Sequence, residues 1–224
     1  GASMMLGHPL DPSAQEAAVV RDLIGRARAW RGLRRTRRVR VDDHTLVVPP
    51  GVLDPVLFRS GAWFAREVAR AARGRRVLDL GCGTGVVGVL AQAAGARVVA
   101  TDIDPRACAA ARDNGLGDVR RGDLFEGVQG ERFDLVAFNP PYLRGRAQDH
   151  PLGRALYGGE DLTVIRRFAA ALPGMLSDGG AGWVVLSDRA RGAAAALGPG
   201  WRMARAEQLG DEVLALWCVG PAPG

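Results

Sequence analysis

Two short stretches of this 224-residue chain combine residue types and spacings that could do chemistry. The first is a cluster of glycines in residues 81–88, which follows the apolar run 77–80 and overlaps the Ala/Val/Leu-rich run 86–94. A strand, a glycine turn and a helix in that order allow a backbone to approach a nucleotide closely. The second is the tetrapeptide Asn-Pro-Pro-Tyr at 139–142, which closes the apolar run 133–138. The first stretch predicts a cofactor site, and the second predicts what is done with the cofactor.

The Asn-Pro-Pro-Tyr tetrapeptide is rich in hydrogen-bond acceptors. Its consecutive prolines fix the backbone and remove two N–H donors, which leaves the side-chain oxygen of Asn139 and the carbonyl of Pro140. These acceptors could hold both hydrogens of an –NH2 group and aim its lone pair at an activated methyl group, while the ring of Tyr142 could stack on a planar group. Asn139, Pro140 and Tyr142 are therefore the candidate catalytic residues of an N-methylation that depends on positioning. A plain turn is the alternative, because Asn and Pro are common turn residues.

The glycine cluster by itself is compatible with two cofactors. Residues 83–88 satisfy the dinucleotide pattern Gly-x-Gly-x-x-Gly, and Asp102 follows about 20 residues later, where a carboxylate could accept ribose hydroxyls. On these residues alone, NAD and an NAD-dependent oxidoreductase remain possible. Asp79, however, lies inside the strand two residues before Gly81. A carboxylate at that point favours a cofactor that carries an ammonium group over one that presents a pyrophosphate.

The acid-x-Gly-x-Gly-x-Gly pattern of residues 79–85 and a predicted C-terminal hairpin resemble the class I methyltransferases that use S-adenosylmethionine. The resemblance implies that Asp79 stands near the methionine amino group, that Asp102 binds the ribose and that Ile103 packs on the adenine. The Asp-Leu pair at 123–124 would meet the adenine amino edge. A helix cap or a turn is the structural alternative for both downstream aspartates. The residues expected to bind the cofactor are Asp79, Gly81, Cys82, Gly83, Thr84, Gly85, Asp102, Ile103, Asp123, Leu124 and Asn139.

The position of Asn-Pro-Pro-Tyr after such a core resembles the HemK/PrmC group of amino-methyltransferases, over about residues 51–219. Further similarities are Gly-Val-Leu-Asp-Pro at 51–55 and Ala-Leu-Tyr-Gly-Gly-Glu-Asp-Leu at 155–162. In that group the methyl acceptor is the side-chain amide of a glutamine in a peptide release factor. By this resemblance Asn139 and Pro140 would hold the acceptor amide, and Tyr142 would flank it.

The segment before the core leaves the identity of the acceptor open. The bacterial glutamine enzymes carry a longer helical domain there, and the eukaryotic and archaeal relatives work with a small partner subunit. Here about 50 residues precede the core, and Arg31–Arg40 contains six arginines. Such a segment could contact the phosphates of ribosomal RNA or DNA. A small amino or guanidino metabolite is a further alternative to the release factor.

From residue 75 onward, strand and helix patterns alternate, which predicts a Rossmann-like α/β fold with a seven-stranded, mostly parallel sheet. The runs 201–208 and 212–219, joined by Leu-Gly-Asp, predict a C-terminal antiparallel hairpin. Residues 1–50 are predicted to form a short helical and hairpin extension, and 51–220 the methyltransferase domain. The other predicted strands are 76–80, 97–102, 118–121, 133–139 and 182–188, and the predicted helices are 13–30, 61–73, 86–94, 105–114 and 161–175.

Composition limits the classes of partner and compartment. The formal net charge is +6, and all basic residues are arginine. Residues 1–76 hold 15 arginines against 7 acids, which suits a polyanionic partner. The three scattered cysteines form no disulfide framework or zinc pattern, so we expect a reduced, cytoplasmic protein. No apolar run approaches the roughly 18 residues that a membrane span needs, so no membrane partner is expected.

Overall fold

A computed structural model describes residues 34–141, 155, 158–159, 161–190, 192–221 and 223. Within these residues, a two-stranded hairpin precedes a seven-stranded sheet that has helices on both faces. The predicted helix 13–30 lies outside the described residues. The strands are β1 (Arg37–Val41), β2 (His44–Val48), β3 (Arg76–Leu80), β4 (Arg97–Asp102), β5 (Val119–Arg121), β6 (Phe133–Phe138), β7 (Leu176–Ser187), β8 (Arg202–Leu209) and β9 (Glu212–Val219). The α-helices are α1 (Ser60–Ala71), α2 (Val86–Ala93), α3 (Pro105–Asp113), α4 (Thr163–Ala171) and α5 (Ala193–Leu197).

The large sheet has the strand order β5-β4-β3-β6-β7-β9-β8. Strands β3 to β7 pair in parallel, whereas β9 is antiparallel to both of its neighbours. The chain therefore builds outward from β3 in one direction and then returns to continue from β6 in the other. This topology confirms the predicted Rossmann-like sheet with a C-terminal antiparallel hairpin. The point where the order reverses, between β3 and β6, is where ligands bind in open sheets of this kind.

The core has two hydrophobic clusters, one on each face of the sheet. The first includes residues of α1, α2 and α3, and the second includes residues of α4 and α5. Because successive side chains of a strand point to opposite faces, Val77 of β3 joins the first cluster and Leu78 joins the second. Asp79 therefore shares the face of Val77 and points toward α2.

The β1–β2 hairpin is held beside the glycine turn by polar contacts. Asn114, directly after α3, accepts a hydrogen bond from the backbone N–H of Val47 at 2.7 Å. Its amide nitrogen donates to the carbonyls of Val47 (3.0 Å) and Thr84 (2.9 Å). On β1, the guanidinium of Arg37 pairs with the buried carboxylate of Asp54 at 2.6 Å. The hairpin is thereby tied to the glycine turn and to the loop that enters α1.

Some boundaries differ from the predicted ones. Strand β7 begins at Leu176, six residues before the predicted 182, and its pairing with β6 contains an irregularity between Phe133 and Leu135. The predicted helix 161–175 is divided into α4 and a 3-10 turn, Leu172–Met175, that contains a proline in its first turn. Helix α5 was not predicted. Among the described residues, no helix is long and apolar enough to cross a lipid bilayer.

Candidate active site

The carboxyl ends of β3, β4 and β6 border a cleft of about 490 Å³. The loop 51–58 forms one wall of this cleft, and residues of α4 contribute to another. Most of the residues predicted to bind a cofactor line the cleft, although they come from four separate segments of the chain. Those that line it are Asp79, Gly81, Cys82, Gly83, Thr84, Asp102, Ile103, Asp123, Leu124 and Asn139. Gly85 lies behind them as the N-cap of α2.

The glycine turn has a backbone conformation that other residues rarely adopt. The φ angles of Gly81, Gly83 and Gly85 are +64°, +55° and +83°. A Cβ atom on Gly81 would lie 3.3 Å from the ring of Phe138, whereas one on Gly83 would meet no protein atom within 4 Å. Bare backbone at Gly83 therefore faces open space, as a close approach by a ligand requires.

Asp79 is a buried carboxyl group at the base of the cleft. Its side chain accepts a hydrogen bond from the backbone N–H of Gly88, in the first turn of α2, at 2.8 Å. A Cβ on Gly88 would lie 3.2 Å from the carboxylate of Asp79 and 2.8 Å from Leu116, so glycine leaves room for this contact. Burial raises the pKa of Asp79 to about 8, against the opposing effect of the Gly88 hydrogen bond. A carboxyl group so placed gains most from a cationic ligand, because the cation favours the ionised form that burial disfavours.

Asp102, at the end of β4, braces the glycine turn. One carboxylate oxygen accepts from the N–H of Gly83 and the other from the N–H of Asp104, each at 2.9 Å. Burial raises the pKa of Asp102, and these two hydrogen bonds oppose the increase. Each oxygen keeps a second lone pair, so a further donor can still bind. Next to it, the side chain of Ile103 is 43% exposed and lines the cleft, although it is a large apolar residue.

The far end of the cleft contains an ion pair. The carboxylate of Asp123 accepts a hydrogen bond from the guanidinium of Arg167, on α4, at 2.8 Å. Leu124 follows with a φ of +48°, an uncommon conformation for a residue with a side chain. The tight turn at 123–124 thus brings both residues to the cleft wall.

Cys82 and Thr84 are buried within the glycine turn. Burial raises the pKa of the Cys82 thiol well above its usual range. The N–H of Cys82 bonds to the carbonyl of Thr101, and the carbonyl of Thr84 accepts from Asn114. The hydrogen bonds of both residues to other elements therefore run through backbone atoms, and they hold the turn in place.

The Asn-Pro-Pro segment reaches the cleft directly after β6. The amide nitrogen of Asn139 donates to the hydroxyl of Ser60 at 3.4 Å, which leaves its carboxamide oxygen as an acceptor. Pro141 lines the cleft, whereas Pro140 is buried and does not line it. Tyr142 lies outside the described residues. Of the three candidate catalytic residues, the structure thus brings Asn139 together with the predicted cofactor residues.

Several residues of the site were not predicted, Arg167 among them, and two of the others are buried and polar. Ser60, the first residue of α1, is 5% exposed and lines the cleft opposite Asn139. Asp54 holds the loop 51–58 in shape, because its carboxylate accepts from the N–H groups of Val56 and Leu57 in addition to pairing with Arg37. The Asp-Pro dipeptide at 54–55 is a turn signal, whereas no local signal indicates a role for Ser60.

The sheet order, the antiparallel β9 and the acid–glycine turn at the switch point define a Rossmann-like class I methyltransferase fold. The chain belongs to the methyltransferase small domain family, whose model matches residues 58–198.

Individual relatives agree with this assignment. A release factor glutamine methyltransferase from Xylella fastidiosa is 37% identical over 128 residues, covering 50% of this chain and 46% of the relative. A ribosomal RNA small subunit methyltransferase C from Chromohalobacter salexigens is 34% identical over 164 residues, covering 66% and 49%. The E. cuniculi Mtq2–Trm112 complex, responsible for methylation of the termination factor eRF1, has a chain with a TM-score of 0.59 and 26% identity, covering 77% of this chain and 99% of that one. This chain spans about half the length of the bacterial relatives that it matches.

Proposed function

We propose that the chain is an S-adenosylmethionine-dependent N-methyltransferase that acts on a planar, amide-like nitrogen. The observation that carries the proposal is the meeting of Asp79 and Asn139 in one cleft at the carboxyl ends of neighbouring strands. A buried carboxyl group suits the ammonium of the donor, and a fixed carboxamide oxygen suits the –NH2 of the acceptor. Membership of the methyltransferase family supports the same reaction. An NAD-dependent oxidoreductase is disfavoured, because the Asn-Pro-Pro segment would have no function in that reaction.

The residues present fit S-adenosylmethionine. The open backbone at Gly83 can receive the donor closely, and the exposed face of Ile103 offers an apolar surface for adenine. We propose that Asp79 binds the amino group, that Asp102 accepts from the ribose and that the turn at 123–124 meets the adenine edge. When bound, S-adenosylmethionine supplies a methyl group activated by a sulfonium. We propose that all the residues predicted to bind the cofactor belong to this S-adenosylmethionine site.

On the acceptor side, the contribution of the protein is orientation. The oxygen of Asn139 and, in our proposal, the carbonyl of Pro140 accept the two hydrogens of the substrate amide and direct its lone pair away from them. Tyr142 would flank the planar group. An amide nitrogen is a weak nucleophile, so holding it in line with the methyl group is the main effect that the site can supply. The proton can leave to water after transfer.

We infer that the acceptor is a glutamine side chain in a peptide release factor. The Xylella relative carries this activity in its name, and the E. cuniculi structure belongs to a complex that methylates a termination factor. A release factor substrate implies a cytoplasmic enzyme.

We also propose the division into an extension, 1–50, and a methyltransferase domain, 51–220. It is supported by the separate two-stranded sheet of the β1–β2 hairpin.

Ribosomal RNA is the second candidate acceptor, favoured by a relative named for ribosomal RNA methylation and by exposed arginines in the N-terminal segment. Within Arg31–Arg40, Arg37 is used internally against Asp54, and Arg40 donates to the carbonyl of Asp42. The described arginines of the segment that remain exposed without such a contact are Arg34, Arg35 and Arg38. These three could contact phosphates.

Two experiments test the proposed cofactor and distinguish the candidate acceptors. A thermal shift with S-adenosylhomocysteine at 100 times its dissociation constant should add about 2.7 kcal/mol of stability, whereas NAD should add none; stabilisation by NAD alone would overturn the methyltransferase proposal. Tritiated S-adenosylmethionine is then offered separately with a bacterial release factor, with ribosomal RNA and with a metabolite extract. We expect label in the release factor. Label only in RNA or only in the metabolite fraction would replace that acceptor with the one labelled.

A further inference from the structure

The hydroxyl of Ser60 contacts the residue on which acceptor binding depends. Its oxygen lies 3.4 Å from the amide nitrogen of Asn139, 79 residues later in the chain. Ser60 is 5% exposed, so little water competes for this contact. A carboxamide has a donor end and an acceptor end of nearly equal size. In the structure the hydroxyl accepts from the nitrogen, and this contact leaves the oxygen end of the carboxamide available to the cleft.

The backbone before Ser60 is strained, and the strain is confined to one residue. Arg59 has φ +42° and ψ −42°, a conformation that residues with side chains rarely adopt. Its guanidinium donates to the carbonyl of Leu209 at 2.5 Å and passes close to Gly210, where a Cβ would lie 2.7 Å from it. The β8–β9 turn thus holds Arg59, and through it the start of α1. Strain maintained by a distant contact is typical of a functional position.

We propose that Ser60 is a positioning residue for Asn139, held in place by the Arg59 turn. It fixes the carboxamide so that the oxygen faces the acceptor nitrogen and the NH2 faces α1. Without the hydroxyl the carboxamide can turn over, and its NH2 would then meet the hydrogens of the substrate amide. This inference rests on the proposed function, because it assigns Asn139 the task of accepting from the substrate.

The first test needs no acceptor substrate. The chain contains only two asparagines, Asn114 and Asn139, so asparagine-selective ¹⁵N labelling gives two side-chain NH2 pairs, and Asn139→Ala identifies one of them. In the complex with S-adenosylhomocysteine, Ser60→Ala should shift the Asn139 pair and speed its exchange with water, while the Asn114 pair stays in place as an internal reference. Ser60→Thr, which keeps the hydroxyl, should restore the Asn139 signal. An Asn139 pair that is unchanged in Ser60→Ala would overturn the proposal.

The second test is a double-mutant cycle on methyl transfer, measured in single turnover with the labelled acceptor. Ser60→Ala should lower the rate about tenfold, the scale of losing one hydrogen bond with its orientation, with unchanged affinity for S-adenosylhomocysteine. In the Asn139→Ala background the same substitution should have no further effect, because the two residues act as one unit. Additive losses would refute a role exerted through Asn139. If no acceptor is labelled, the proposed function fails, while the NMR result still decides how Asn139 is held.

Discussion

Replacing Asp79 with asparagine should stabilise the ligand-free protein. Asp79 is 3% exposed, and burial raises its pKa to about 8, above the ordinary value of 3.8 that holds in the unfolded chain. At pH 7 the folded state therefore keeps a proton that the unfolded state has lost. Each pH unit between the two pKa values costs about 1.4 kcal/mol, so the penalty on the fold is about 4 kcal/mol at pH 7. Asparagine removes this penalty and can still accept from the N–H of Gly88.

The same substitution should weaken the binding of S-adenosylhomocysteine. The ammonium of the ligand favours the ionised carboxylate, so binding at pH 7 should release close to one proton. Below pH 8 the affinity of the unmodified protein should fall about tenfold for each pH unit, because the free carboxyl must first lose its proton. Asp79→Asn should bind more weakly at pH 8 and lose this dependence. Calorimetry in two buffers of different ionisation enthalpy measures both the affinity and the proton release.

Two controls make the result specific to the ammonium. 5′-Methylthioadenosine lacks the amino acid part of the ligand, so its affinity should not follow the titration of Asp79. Asp134, at the opposite end of the sheet, accepts from the N–H of Arg76 and the hydroxyl of Ser177, and these contacts lower its pKa. Asp134→Asn should therefore lose stability at pH 7 and keep ligand affinity, the reverse of Asp79→Asn. An Asp79→Asn variant that melts no higher, together with pH-independent affinity, would refute the reasoning.

Three further outcomes are expected. Asn139→Ala should keep S-adenosylhomocysteine binding and lose about 10²–10³-fold in turnover, the scale for one preorganised polar contact; unchanged turnover would remove Asn139 from its role. Gly158→Ala would place a Cβ 2.2 Å from the carbonyl oxygen of Pro141, so it should lower turnover, whereas Gly117→Ala, with no atom within 4 Å, should not. Asn114→Ala should lower the melting temperature by releasing β2, and Asn114→Asp, which keeps only the acceptor, should fall in between; equal melting of all three proteins would contradict the proposed attachment.

The fold followed from local patterns in the sequence. Strands β3, β4 and β6 are short, largely apolar runs, and helical patterns separate β3 from β4 and β4 from β5, so this alternation indicated the parallel sheet. Strand β7 was predicted too short because its first half contains Ser177, Asp178 and two glycines, which are poor strand formers. In the structure only Leu176 and Ala181 of this half pair with β6, and Gly179 between them has a φ of +72°, so the run is an irregular part of the strand that has no local sequence signature.

The candidate site was predictable to the extent that its residues are near one another in the chain. The glycine turn and Asp79 form one continuous motif, and Asn139 directly follows β6, which its apolar run predicts. The contact of Ser60 with Asn139 joins residues 79 positions apart in the chain, and a serine at the start of a helix is common enough to indicate no special role. For Asp102 the sequence left two roles open, a ligand for ribose and a structural cap or turn residue. The structure is compatible with both, because Asp102 lines the cleft and its carboxylate also accepts from the N–H groups of Gly83 and Asp104. Spatial neighbours of this kind become visible only when the sheet is assembled.

The register of β3 against β6 determines how the two halves of the proposed reaction meet. Asp79 pairs with Ala137 and Leu80 with Phe138, so Asn139 lies level with Gly81, one strand away. Neighbouring strands are about 4.8 Å apart, and a slip of one residue would turn Asp79 to the other face of the sheet. A sequence separation of 60 residues thus becomes a fixed short distance between the group that would hold the donor and the group that would hold the acceptor.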